Sequence, residues 1–379
     1  ARATPAVKRM LIRAQQDAGL IHHEFGRLLP SLMQPRPRRI TIAVTAHCNL
    51  RCIGCRYGRD FMPGAQLSLS TVRTVLSDAK SAGIELVRLY GGEPLLHRDL
   101  PAMVRHSVNL GLGTYVTTNG LLLRQKIDPL FDAGLRALSI GYYGSGEAYD
   151  GYVQRRERFA KLEEGIAYAK ARYGSRLSLQ LNYLVMRRSI GLNALRSAWA
   201  FAQRYDMSFH TDLVHYSLPY FTDGREGNLA FEPQDSDALI AFTRALGQLK
   251  QDHPLRVRES LASIHSIPDW LLKGPAMRIP CDARQLVWVG ADGTVQLCYV
   301  TFKLGNLHER RLRDMLFTRT HQEAAKDAFL LNCPNCHCER DSRIQKHLPS
   351  RLRYARPPRS SLKDADPALA TAMSHSAEM

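Results

Sequence analysis

The chain has 379 residues, 45% of them hydrophobic, which is enough for one large domain and a smaller one. It holds no run of about 18 apolar residues, so no hydrophobic helix is expected to cross a membrane. Charges interrupt residues 1–39, leaving no signal-peptide core, and the chain reads as cytosolic. The net charge of +17 favours anionic partners: phosphorylated metabolites, nucleic acid, acidic peptide or an anionic surface.

Residues 1–34 read as a helical arm with an apolar stripe of Met10, Leu11, Leu20, Ile21, Phe25, Leu28 and Leu29, ended by Pro30 and Pro35 to Pro37. Six strand–helix pairs follow. Strands are predicted over Ile40–Thr45, Ile84–Tyr90, Thr114–Thr118, Leu135–Tyr142, Leu177–Met186 and Met207–Val214. Their helices are predicted over Ser70–Ala82, Leu100–Leu110, Gln125–Ala133, Phe159–Arg172, Asn193–Arg204 and Gln234–Gln251, with Ser68 or Ser70 capping the first. Such alternation implies parallel strands covered by helices, here a partial (β/α)6 TIM barrel, α/β in class. In such barrels the site gathers at the C-terminal strand ends. Beyond residue 255 the pattern changes to a hairpin, Leu286–Val289 and Thr294–Leu297, turning at Asp292-Gly293. A helix over Leu312–Phe329 follows, and from Leu348 the composition suggests a disordered basic tail. The basic run from Arg343 to Arg359 reads as solvated. The domain boundaries expected are 1–37 for the arm, 38–255 for the barrel, 256–345 for a small C-terminal α+β domain and 346–379 for the tail.

The eight cysteines fall into three groups: Cys48/Cys52/Cys55, Cys281/Cys298 and Cys333/Cys336/Cys338. In a reducing compartment such grouping argues for metal ligation over disulfides. The first group, C-x3-C-x2-C, follows the first strand. Iron–sulfur clusters normally take four cysteines, so three on one loop leave one iron without a protein ligand. Zinc is the rival, but it wants a fourth Cys or His at finger-like spacing.

This loop resembles the signature of the radical S-adenosylmethionine (SAM) superfamily, and the resemblance spans roughly residues 38–340. It implies a 4Fe-4S cluster on Cys48, Cys52 and Cys55 that binds SAM and cleaves it to a 5′-deoxyadenosyl radical. Gly91-Gly92-Glu93-Pro94, after the second strand, resembles the segment that binds the amino group of SAM. Thr117-Thr118-Asn119-Gly120 resembles a further segment near SAM, and Ser139 and Asn182 occupy strands whose polar groups contact its ribose and carboxylate in similar proteins. The family often places an aromatic residue before the third cysteine. Here Gly54 stands there, and Ile53 or Tyr57 is expected to serve instead.

The later cysteines resemble a twitch domain, a shortened SPASM domain, with an auxiliary 4Fe-4S cluster on Cys281, Cys298, Cys333 and Cys336. Zinc also fits four thiolates. Cys338 is either an alternative ligand or a free thiol that donates hydrogen to a substrate radical. His210 and Asp212 share one strand face by period two and are candidates for binding a hydroxyl or taking a proton.

The resulting expectation is a radical SAM enzyme of oxidoreductase or epimerase type, acting on a small polar anionic metabolite with electrons from a flavodoxin- or ferredoxin-type donor. No leader-peptide-binding domain is evident in the short arm, which places a ribosomal peptide second. An RNA-binding protein and a zinc scaffold are the readings from other classes; no nucleic-acid module is recognised, and nucleic acid is not an expected partner.

Overall fold

The computed structural model describes residues 18–221, 228–299 and 301–358. Among these, residues 18–28 form helix α1. The part of the expected arm before residue 18 lies outside the described residues, as does the tail beyond residue 358.

The strands are β1 (Arg39–Thr45), β2 (Leu86–Gly91), β3 (Gly113–Thr118), β4 (Ala137–Tyr142), β5 (Ser178–Val185), β6 (Ser208–Leu213), β7 (Leu286–Val289), β8 (Thr294–Gln296) and β9 (Lys303–Asn306). The covering helices are α2 (Leu69–Ser81), α3 (Leu100–Asn109), α4 (Leu123–Asp132), α5 (Glu147–Val153), α6 (Arg158–Tyr173), α7 (Leu192–Arg204) and α8 (Ser236–Asp252). Ser68 is the cap that starts α2, accepting from Thr71 N at 3.1 Å. After α8 come α9 (Leu261–His265), α10 (Ile267–Lys273), α11 (Arg319–Leu330), α12 (Arg340–Lys346) and α13 (Leu348–Arg353). Sequence periodicity does not announce α5, α9, α10, α12 or β9.

One open sheet runs β6-β5-β4-β3-β2-β1-β7-β8-β9. The seven strands from β6 to β7 are parallel, and β8 and β9 add antiparallel. The sheet does not close, so the α/β fold is a partial barrel. β1 is apolar and buried on both faces, whereas β5 and β6 alternate, turning Gln180, Asn182, His210 and Asp212 toward the open side of the barrel. In β1, all six residues from Ile40 to Thr45 are buried.

The hairpin does not stand apart from the barrel. β7 lies parallel on β1, with Ile40 opposite Val287 and Ile42 opposite Val289. A strand buried on both faces leaves costly unpaired backbone groups unless both edges find a neighbour, and β7 supplies the second.

Three local expectations change. Residues 312–329 are not one helix: a 3-10 turn at Leu312–Asp314 precedes α11, whose cap Thr318 accepts from His321 N. Residues Leu348–Arg353 are helical rather than disordered, because Tyr354 is buried behind them and its hydroxyl donates to Asp269 Oδ2 at 2.7 Å. The apolar stripe of α1 faces outward: Ile21, Phe25, Leu28 and Leu29 are exposed, while His23 and Gly26 pack on Phe329.

Candidate active site

A cavity of about 700 Å3 opens at the C-terminal ends of β1–β6, lined by residues of all six strands or of the loops that follow them. The cysteine loop forms one end, and Cys48, Cys52 and Cys55 all line it. The loop is pinned through its backbone. Cys55 N donates to Cys52 O, Ile53 N to Tyr152 O, and Arg56 N to Tyr220 O. All three cysteines are free. Burial pushes the Cys48 thiol up to about 12 and raises Cys52 and Cys55 as well.

Gly54 is needed twice over. Its φ is +78°, and a Cβ there would sit 2.7 Å from the Phe221 ring. Phe221 therefore fills the space that an aromatic residue at position 54 would take. Tyr57 also lines the cavity, buried within an aromatic cluster that includes Tyr90 and Trp288, whereas Ile53 does not line it. The sequence gives no sign of Phe221, which reaches the loop from more than 160 residues away.

The Gly91-Gly92 turn crosses directly over the start of the cysteine loop. A Cβ on Gly91 would fall on the carbonyl oxygen of Thr45, and one on Gly92 on that of His47, deep inside van der Waals contact. Gly92 N and Glu93 N donate to those same carbonyls at 2.9 and 2.7 Å. The Glu93 side chain turns away from the cavity into the core. Its carboxylate accepts from Leu95 N, Thr118 Oγ1 and Asn119 N at 2.7–2.9 Å. Glu93 thus locks β3's end against β2's. Asn119 Nδ2 in turn donates to Asn49 Oδ1 within the cysteine loop at 2.8 Å.

Of the residues expected around SAM, Gly91, Gly92, Thr118, Asn119 and Asn182 line the cavity. Glu93, Pro94 and Ser139 do not. The buried Asn182 Oδ1 has no hydrogen-bond partner.

The other end of the cavity carries His210, Asp212, His215, Glu259, Arg340, His337 and Cys338. His210 and Asp212 both face it, as period two predicts. The partner of His210 is Glu259, 3.0 Å from Nδ1. Burial opposes charge on His210, but Glu259 raises its pKa overall. Glu259 is held down to about 2: burial acts upward, and His210 and Arg340 outweigh it. Glu259 comes from the loop before α9, where no motif announces it.

A second, smaller cavity is lined by all five later cysteines, Cys281, Cys298, Cys333, Cys336 and Cys338. Cys338 borders both cavities. The neighbouring Cys338 thiol lowers the pKa of Cys336. Arg343 organises this segment. It is fully buried, contacts the Cys336 and Ile279 carbonyls and Asn335 Oδ1, and lies over the Trp270 ring. The expectation that the basic run from Arg343 is solvated fails here: the guanidinium satisfies core carbonyls. Lys346 likewise pairs with Asp282.

Residues 42–188 match the Radical SAM superfamily. These residues form a radical SAM domain. Among curated proteins the chain is similar to GTP 3′,8-cyclase of Chlorobaculum tepidum, 32% identical over 152 residues, covering 39% of this chain and 45% of the relative. It is also similar to PqqA peptide cyclase of Rhodopseudomonas palustris, 35% identical over 111 residues, covering 29% of each. The chain spans less than half the length of these relatives. Two solved structures share its fold: anSMEcpe with bound AdoMet, at a TM-score of 0.61 and 16% identity, covering 84% of this chain and 96% of that one, and Streptococcus suis SuiB bound to S-adenosylmethionine, at 0.58 and 14%, covering 86% and 76%.

Radical SAM domains use a 4Fe-4S cluster and SAM, and the residues present fit both. Three free thiols meet at one cavity end, and metal coordination would deprotonate them despite their burial. Beside them lie a backbone turn too tight for any side chain and the unpartnered Asn182 Oδ1, which suits a donor on a bound ligand. No helix among the described residues is long and apolar enough to cross a membrane.

Proposed function

We propose that this chain is a radical SAM enzyme that removes a hydrogen atom from one C–H bond of a small, polar, anionic metabolite of the sugar, aminocyclitol or nucleotide class. Oxidation, epimerisation or bond formation follows. When bound at Cys48, Cys52 and Cys55, a 4Fe-4S cluster with SAM supplies the 5′-deoxyadenosyl radical that takes the hydrogen. The chain's own residues do the rest: the Gly91-Gly92 turn, Thr118, Asn119 and Asn182 hold SAM, and the far end of the cavity holds the substrate.

The observation that carries the substrate class is Arg88. It lines the cavity, donating from Nε to Thr117 Oγ1 at 2.8 Å and from Nη1 to Tyr299 OH at 3.3 Å. Its guanidinium also lies 4.9 Å from the Tyr90 ring centre. Among the described residues no carboxylate pairs with it, whereas the nearby Arg39 pairs with Glu339. A guanidinium held by neutral groups at a cavity wall favours a carboxylate or phosphate there. His210 is suited to moving a proton: with Nδ1 committed to Glu259, Nε2 is left for the substrate.

Cys281, Cys298, Cys333 and Cys336 would hold an auxiliary 4Fe-4S cluster able to accept an electron, with Cys338 as an alternative ligand or a hydrogen donor. An acidic flavodoxin- or ferredoxin-type protein would suit the charge of +17 as electron donor. A peptide substrate is the second reading, supported by PqqA peptide cyclase among the relatives and by SuiB bound to precursor peptide SuiA among the structures.

The test is 5′-deoxyadenosine formation by the anaerobically reconstituted, reduced protein. The wild type should form it and the triple Cys48/Cys52/Cys55→Ala variant should not; formation by the variant would remove the assignment. For the substrate class, Arg88→Gln should weaken binding of an active sugar phosphate or nucleotide about 10-fold or more. Saturable binding of peptides alone would promote the second reading.

A further inference from the structure

Outside the radical SAM domain, three side chains with metal-ligand chemistry converge. Asp212, His215 and His337 each offer one ligand atom, and these atoms lie within 4.8 Å of one another. Asp212 is the last but one residue of β6, His215 follows two residues beyond that strand, and His337 comes from the late cysteine segment. The fold therefore joins parts of the chain more than 120 residues apart at one point.

We propose that these three residues bind a single divalent transition-metal ion, zinc by donor class, in the wall of the substrate cavity, and that its open coordination positions take an oxygen or nitrogen of the substrate. The metal site stands on its own geometry. The substrate's part in it rests on the function proposed above.

Two imidazoles and one carboxylate are a donor set suited to zinc or iron(II). Three protein ligands leave positions open, as in catalytic rather than structural zinc sites. The site's surroundings are those that a ligating histidine needs. His337 Nε2 lies 3.1 Å from the Val214 carbonyl. Only an N–H can bond a carbonyl, so the neutral ring presents the lone pair of Nδ1, and the carbonyl fixes the ring's orientation. His215 Nδ1 is buried and has no hydrogen-bond partner. A buried ring nitrogen left unpaired is costly unless something occupies it. The two rings stand 4.0 Å apart between centres, tilted by 39°. All three residues line the large cavity, so an ion held there would face the substrate.

Cys338 lies alongside, its Sγ 3.8 Å from His215 Nε2. This thiol is shared with the late cysteine group, so the test must separate zinc at Asp212/His215/His337 from zinc on cysteines.

The experiment uses the full chain, reconstituted with iron and sulfide, freed of loose metal and titrated with Zn2+ alone. Zinc and iron are counted by plasma mass spectrometry. Co2+ is added in parallel and read by electron paramagnetic resonance with the clusters oxidised and silent. The wild type should bind one zinc per chain above its iron and show a high-spin cobalt signal. His215→Ala and Asp212→Asn should each weaken zinc binding by at least about 10-fold at unchanged iron content. Should His215→Ala lose iron as well, Asp212→Asn, whose side chain makes no hydrogen bond to a cysteine among the described residues, decides. No zinc above buffer background in the wild type, or equal zinc in wild type and Asp212→Asn, overturns the site. The two proposals fail separately: zinc bound without 5′-deoxyadenosine formation removes the radical chemistry and keeps the metal, and the reverse result removes the metal alone.

Discussion

Glu93 is surrounded by donors rather than by ligand. Burial raises its carboxyl to about 7 in the fold, against an ordinary 4.5, and its three hydrogen bonds offset only part of that rise. Because the folded value is the higher one, this group's contribution to stability is full below pH 4.5 and is lost as the pH rises through about 7. Glu93→Gln removes the titration. Wild type should therefore lose stability relative to the variant between about pH 5 and about pH 8, measured by urea unfolding. A wild-type-minus-variant difference that stays constant with pH would contradict this role. Arg343 works in the opposite sense, as a cation that satisfies buried carbonyls. Arg343→Met leaves those acceptors unpaired and should cost at least about 2 kcal/mol. It should also lower the iron retained by a chain already carrying the Cys48/Cys52/Cys55→Ala changes. Neither role shows in the sequence: Glu93 reads as a SAM ligand and Arg343 as the start of a solvated tail, because burial is a property of the neighbours.

At the scale of elements, the site is a set of strand ends held in register by short cross-links. The Gly91-Gly92 turn bonds to the Thr45 and His47 carbonyls, Glu93 bonds to the end of β3, and Asn119 bonds to the cysteine loop. Gly92→Ala would drive a methyl into the His47 carbonyl, which is backbone and cannot swing aside. It should lower SAM affinity at least about 10-fold, read by equilibrium dialysis, because it pushes the turn off the cysteine loop. Unchanged affinity would mean that the turn does not shape the SAM pocket. The strands and most helices were legible in the sequence to within a few residues, since periodicity of two and of 3.6 is local information. Helix α13 was not, because its composition is that of a tail and Tyr354 holds it through contacts with Asp269 and His265.

At the scale of the molecule, the C-terminal hairpin and the barrel share one sheet. β1 has β2 on one side and β7 on the other. A fragment ending at residue 255 would bare a long apolar edge on β1, so it should aggregate rather than fold, as size-exclusion chromatography would show. A soluble, monomeric fragment would argue that β7 is dispensable. The charge of +17 also makes a whole-molecule prediction. If an acidic flavodoxin-type protein delivers electrons, SAM cleavage driven by it should slow steeply with added salt, whereas cleavage driven by a small chemical reductant should not.

What depends on near neighbours along the chain could be read before any folding: the three-cysteine loop, the glycine turn after β2, and the alternation that makes a parallel sheet. Ligand spacing within eight residues and hydrophobic period survive any folding, so they can be read directly. Tertiary structure alone decided which distant groups meet. It set Phe221 over Gly54, paired His210 with Glu259, left Arg88 without a carboxylate partner among the described residues, buried Arg343 under the cysteines and brought His337 beside His215. Each of these depends on strand register and on the path of a loop, and both are fixed by the packing of the whole core.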